Sequence, residues 1–141
     1  LKGVRSVSYP IKNIDGIDSD TVAAFKAAGI RTTGKLLEAA RTCKGRKLLA
    51  AKTGIEEKSL LRLANMADRM RVKGLGADYA ELLRVCGVDT LRELKYRNPA
   101  RLAAAMRAAN DKRKLVRLLP SDKTVGRWID EAKKLPLKIT Y

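Results

Sequence analysis

Apolar residues recur three and four positions apart along most of the chain, and nowhere do they alternate for long enough to build a sheet. Between Glu56 and Met70, Leu60, Leu61, Ala64 and Ala67 fall on one helical face. Glu56 and Glu57 stand at the N-terminal end of that stretch and Arg69 at its C-terminal end, as the helix dipole favours. Further patterns predict helices over Ser19–Ala28, Ala77–Cys86, Pro99–Ala108 and Lys123–Lys134. The last carries Trp128, a core residue by its position, and is bracketed by Pro120 and Pro136. The tail LPLKITY is extended at best. The expected fold class is all-α, with roughly eight to ten short helices.

The pattern also repeats. At a constant offset of 58 residues, IDGIDSDTVAAFKAAGIRTTGKL (Ile14–Leu36) lies over VKGLGADYAELLRVCGVDTLREL (Val72–Leu94). Gly16 falls on Gly74, Ile17 on Leu75, Phe25 on Leu83, Gly29 on Gly87, Ile30 on Val88, Thr32 on Thr90 and Leu36 on Leu94. Turn glycines, apolar helix positions and a cap in step indicate an internal duplication. Each copy parses as a glycine turn, a short helix, a glycine that stops it in a left-handed cap, and a threonine that caps the next helix.

In the second copy the turn is VKGLGADYA (Val72–Ala80), where a helix ending near Arg71 reverses into another. Gly74, Gly76 and Ala80 fit the G-x-G-x-x-x-A pattern, and the stretch resembles the helix-hairpin-helix family. The two units, each running into "GI/GV-x-T…L", resemble the tandem helix-hairpin-helix domains of DNA-recombinase N-termini and of the carboxy-terminal domain of the RNA polymerase alpha chain. Over most of Ile11–Leu135 the layout looks like an uncharacterised bacterial family of such proteins (DUF4332-like). The resemblance implies a SAM-like bundle of two tandem units, 11–70 and 71–135, with a tail at 136–141, forming one compact domain. It also implies binding of the DNA minor groove. In such a hairpin the N–H groups around Leu75, Gly76 and Ala77 would hold a phosphate oxygen, with Gly74 making the reversal and Lys73 adding charge. A purely structural turn is the competing reading. In the first copy Asp18 replaces the second glycine, and Asp15 and Asp20 add carboxylates that oppose an anion. That turn is expected to be structural, with Asp18 or Ser19 as its cap.

Charge bears on the choice. The 141 residues hold 31 basic and 15 acidic side chains, a formal +16, which calls for a polyanion. The excess is concentrated after each repeat. Arg41, Lys44, Arg46, Lys47 and Lys52 have no acid among them, and Arg107, Lys112, Arg113, Lys114 and Arg117 enclose only Asp111. The string Arg-Lys-Leu occurs in both segments, at Arg46–Leu48 and Arg113–Leu115, and is expected at equivalent places in the two repeats. The segments then form either one basic face or two helices that keep their charges in water.

The leading expectation is a non-enzymatic binder of double-stranded DNA, largely independent of sequence. The candidate contacts are Lys73, Gly74, Leu75, Gly76, Arg41, Lys44, Arg46, Lys47, Lys112, Arg113, Lys114 and Arg117. RNA remains open as a partner, because phosphate contacts alone do not exclude it. Single strands are disfavoured, since stacking needs exposed aromatics and the chain has one Phe, one Trp and four Tyr. The alternative is a protein–protein scaffold or assembly component that uses the same basic helical surface. Nothing calls for an enzyme, a cofactor or a metal: there is no His, no P-loop and no nucleophile with a base. Cys86 lies in an apolar stretch and reads as a small core residue, and Cys43 is far from it. No signal peptide and no apolar run near ~18 residues is seen, so no membrane insertion is expected. The expected location is cytoplasmic, nucleoid-associated if the DNA reading holds. Leu1 in place of Met points to a processed product or a piece of a longer polypeptide.

Overall fold

The computed structural model describes residues 8–14 and 16–141. After a turn of 3-10 helix at Ile11–Asn13 come α1 (Ser19–Ala27), α2 (Thr33–Ala40), α3 (Cys43–Thr53) and α4 (Glu57–Arg69). Then follow α5 (Gly76–Val85), α6 (Leu91–Lys95), α7 (Pro99–Arg113) and α8 (Asp122–Lys134). Among the described residues there is no strand, only an isolated bridge between Pro10 and Thr32. The fold is all-helical.

Short polar side chains set most of the helix starts by taking up N–H groups that have no partner within the helix. Asp18 accepts from the Thr21 N–H at 2.7 Å, Thr32 from Lys35 at 3.2 Å and Thr42 from Gly45 at 3.0 Å. Asn98 accepts from Arg101 at 3.0 Å and Ser121 from Thr124 at 3.1 Å. Thr90 forms a full capping box with Glu93, whose carboxylate accepts from the Thr90 N–H in return.

The chain divides inside α4 into two compact units. The first comprises residues 8–68 with Lys138–Tyr141. Its buried residues include Ile11, Ile14, Phe25, Ile30, Leu36, Leu37, Ala40 and Leu49. Gly45 marks where α2 and α3 meet most closely: a β-carbon there would lie 2.3 Å from the Ala39 carbonyl oxygen. The C-terminal residues belong to this unit through specific bonds. The Thr140 N–H donates to the Arg41 carbonyl at 2.8 Å, Lys138 pairs with Glu38 at 2.7 Å, and the Tyr141 hydroxyl donates to Asn65 at 2.9 Å.

The second unit comprises residues 69–137. Its core joins Val72, Leu75, Leu82, Leu83, Val88, Leu91, Leu94, Leu102, Met106, Val125, Trp128 and Ile129. The apolar stripe Val125, Trp128, Ile129 and Ala132 is the inner face of α8, which packs on α6 and α7. Trp128 is thus core, as its position predicts, and Cys86 packs against the same cluster. Burial pushes the Cys86 thiol above its ordinary pKa.

The two copies of the repeat share the geometry of their glycine turns and helix ends. Gly16 and Gly74 have φ of 78° and 84°, and Gly29 and Gly87 have 83° and 87°, in the region that disfavours a β-carbon. The Ile30 N–H reaches the Phe25 carbonyl at 2.8 Å, and the Val88 N–H reaches that of Leu83 at the same distance. Thr32 and Thr90 both cap, while Phe25, Leu83, Leu36 and Leu94 are all fully buried. The segments after the repeats depart from expectation. The helix predicted to end at Ala108 continues to Arg113, because Asn98 and Pro99 start it well and Lys114 closes it in a left-handed conformation. The two Arg-Lys-Leu strings are not equivalent: Arg46–Leu48 lies inside α3, whereas Arg113 ends α7 and Leu115 lies beyond it.

Candidate nucleic-acid interface

The second glycine turn is built on two buried apolar residues. Val72 and Leu75 are fully buried, and the Leu75 N–H closes the turn on the Val72 carbonyl at 3.1 Å. Leu75 was a candidate phosphate contact; with its N–H spent inside the turn, it is an anchor instead. Gly74 supplies the positive φ, while Gly76 is already the first residue of α5. The residue ahead of that helix, Leu75, gives no side-chain cap, unlike the caps of α1 and α2. The N-cap position of α5 therefore supplies no side-chain acceptor of the kind that Asp18 and Thr32 supply.

Cations surround this turn. Lys73, Gly74, Arg127 and Glu131 line an open groove of about 400 Å³, and Lys73 and Arg127 are both exposed. Beneath it lies Trp128, whose Nε1 would stand 3.7 Å from a β-carbon at Gly74. The indole also packs against Tyr79 of α5, with ring centroids 5.2 Å apart. The Tyr79 hydroxyl then donates to the Leu118 carbonyl at 2.7 Å. That bond ties the start of α5 to the loop after α7; Lys112 and Arg113 in the last turn of α7 and Lys114 and Arg117 in the loop are all exposed. The loop is held at its base as well. Lys114 takes φ 54°, unusual for a lysine, and its N–H donates to the Asn110 carbonyl at 2.8 Å. The Asn110 side chain bonds both backbone groups of Val116 at 3.0 Å.

The first glycine turn lacks these features. Asp18 occupies the position that corresponds to Gly76 and caps α1 itself. Hydrogen bonds from the Thr21 side chain and backbone hold the Asp18 carboxyl below its ordinary pKa. Asp20 stands in the first turn of α1 as Asp78 does in that of α5, and Asp15 lies outside the described residues. The candidate cations of this unit lie on and before α3. Lys44, Lys47 and Lys52 are exposed there, as is Arg41, whose guanidinium is 3.8 Å from Glu38.

Arg46 must be removed from the set. Only 4% exposed, it donates to the Ala40 carbonyl at 2.9 Å and to the Thr140 carbonyl at 2.8 Å. Its fork fastens the C-terminal residues to the end of α2. Arg71 does similar work in the other unit by donating to the Pro136 carbonyl at 2.8 Å. Both buried guanidiniums thus spend donors on backbone oxygens of their own unit. Arg127 enters the set although the sequence did not single it out. Its signal was periodicity: it stands beside Trp128 but off the stripe that α8 buries.

The chain belongs to the family described as Domain of unknown function (DUF4332), whose model matches residues 15–135. No curated protein and no solved structure matches it. Among the described residues, no helix is long and apolar enough to cross a membrane and no group of three metal-ligating side chains occurs.

Proposed function

We propose that this chain binds double-stranded DNA through its backbone phosphates, without catalysis and with little dependence on sequence. The reading treats the turn at Val72–Ala80 as a helix-hairpin-helix hairpin and the two repeats as tandem units of that kind. One observation carries it: the start of α5, with no side-chain cap, is tied through Tyr79 and Leu118 to the loop after α7, where Lys114 and Arg117 are exposed next to Lys112 and Arg113 in the last turn of that helix. Helix amides attract an anion along the dipole, and Lys73 and Arg127 add full charges beside them. Contacts of this type hold a duplex by its phosphates and leave the base edges unread. Lys44, Lys47 and Lys52 on α3 form a second cationic surface, exposed and free of acid in sequence.

A scaffold role is the second reading, and Leu48 favours it. Exposed to 59% among those lysines, it offers an apolar contact that phosphate binding does not need. Fluorescence anisotropy of a labelled duplex of ~20 base pairs, titrated between about 50 and 200 mM salt, separates the two. Six phosphates neutralised correspond to a log–log slope of about −5. Binding with such a slope, reduced by Lys73→Glu, supports the DNA reading. Absence of binding at the lowest salt overturns it and leaves the scaffold.

A further inference from the structure

A second cationic groove lies in the 69–137 unit, away in sequence from the glycine turn. Lys95, Tyr96, Arg97 and Lys133 line an open space of about 480 Å³, within the range that holds small organic ligands. Three of the four are cations, and none is an acid. Two carboxylates stand two residues away in sequence: that of Glu93 is engaged by the N–H groups of Asp89 and Thr90 at 2.7 and 3.0 Å, and Glu131 lines the groove at the glycine turn.

Tyr96 sets this groove apart from an ordinary basic patch. It ends α6 and stands 75% exposed, although its neighbour in the helix, Leu94, is fully buried. The Lys95 ammonium sits over the ring, 5.4 Å from its centroid, so the aromatic plane is held beside charge. Arg97 is anchored by donation to the Cys86 carbonyl at 3.3 Å, and its guanidinium retains further donors. An aromatic face within a ring of cations suits a ligand that is planar at one end and anionic at the other. A nucleotide has that form, and within a regular duplex its base face is hidden by stacking.

We infer that this groove receives an unpaired nucleotide of a DNA strand, with its base stacked on Tyr96 and its phosphate between Arg97 and Lys133. The inference rests on the DNA-binding reading and sharpens it: DNA with an unpaired end is preferred to blunt duplex. The low aromatic content argued against single strands, but one tyrosine suffices when the fold leaves its face in water.

The test compares a blunt duplex of ~20 base pairs with the same duplex carrying a short single-stranded thymidine extension, by anisotropy at one salt concentration. The wild-type chain is expected to favour the extended duplex about ten-fold, the effect of stacking one base. Tyr96→Ala abolishes that preference and leaves blunt-duplex affinity unchanged, which also shows that the variant is folded. Tyr96→Phe keeps the preference, and Lys133→Glu reduces it. Equal affinity of the wild type for both duplexes overturns the groove's assignment alone, as does a preference that survives Tyr96→Ala. Loss of blunt-duplex binding in Tyr96→Ala also overturns it, since the ring would then serve the fold. Failure of the wild type to bind either duplex overturns the DNA reading and this inference together.

Discussion

The two glycine turns share one backbone and differ in what their helix N-termini face. At Gly16 and Gly74 the φ angles agree within a few degrees, and the helices that follow stop at matching glycines. Yet Asp18 caps α1 with its carboxylate and Leu75 gives α5 no such cap, while each helix has an aspartate in its first turn, Asp20 and Asp78. The duplicated fold therefore preserves the turn and leaves one residue, Asp18 or Gly76, to decide whether a side chain caps the helix start. A fold-level likeness cannot supply that difference; it lies in the site.

Reversing the charges around the open turn is the harshest test of this contrast. Lys73→Glu, Lys114→Glu and Arg117→Glu together are expected to lower duplex affinity about 100-fold at moderate salt and to flatten the salt slope by about 3. The same number of reversals at Lys12, Lys26 and Lys35, in the unit of the closed turn, is expected to change affinity by less than about ten-fold. Equal losses from both sets would remove the distinction between the turns and leave only net charge.

Next in size is the contrast between two arginines of the same tripeptide. Arg46→Ala is expected to cost about 2 kcal/mol in urea unfolding, because two carbonyls lose a charged donor. Arg113→Ala is expected to cost under about 0.5 kcal/mol, as surface changes do, while weakening DNA binding. The exchange of caps is subtler. Gly76→Asp grafts the first turn's carboxylate onto α5 and is expected to lower duplex affinity about ten-fold without unfolding the chain. The smallest effect concerns acid. The Asp18 carboxyl is held below its ordinary value of 3.8, so the stability it adds is fully present above that pH and is lost as pH falls through the lowered value. Thermal melts of the wild type and Asp18→Asn should differ at pH ~6 and converge at pH ~2.

Much of the fold was legible because its signals are local. The glycines at 16, 29, 74 and 87, the caps Thr32 and Thr90 and the apolar spacing of α4 and α8 act within a few residues, where sequence order and space coincide. The site was legible in part for the same reason. Lys73 and Gly74 follow from the turn, and Lys112–Lys114 from an unbroken run of charge. Leu75 misled because a turn's amides look alike in sequence until one of them closes the turn. Arg46 misled because its partners, the carbonyls of Ala40 and Thr140, include one 94 residues away.

The sequence by itself thus determined an all-helical chain, a duplicated turn, the start of nearly every helix and a large positive charge, all of which depend on neighbours along the chain. Only the tertiary structure decided how that charge is divided. It buried Arg46, Arg69 and Arg71, tied the loop at Leu118 to α5 through Tyr79, and returned Lys138–Tyr141 to the first unit. It also left Tyr96 in water above a row of cations. These outcomes turn on which distant backbone oxygens and apolar surfaces meet a side chain once the helices pack, and residue type and spacing do not encode that meeting.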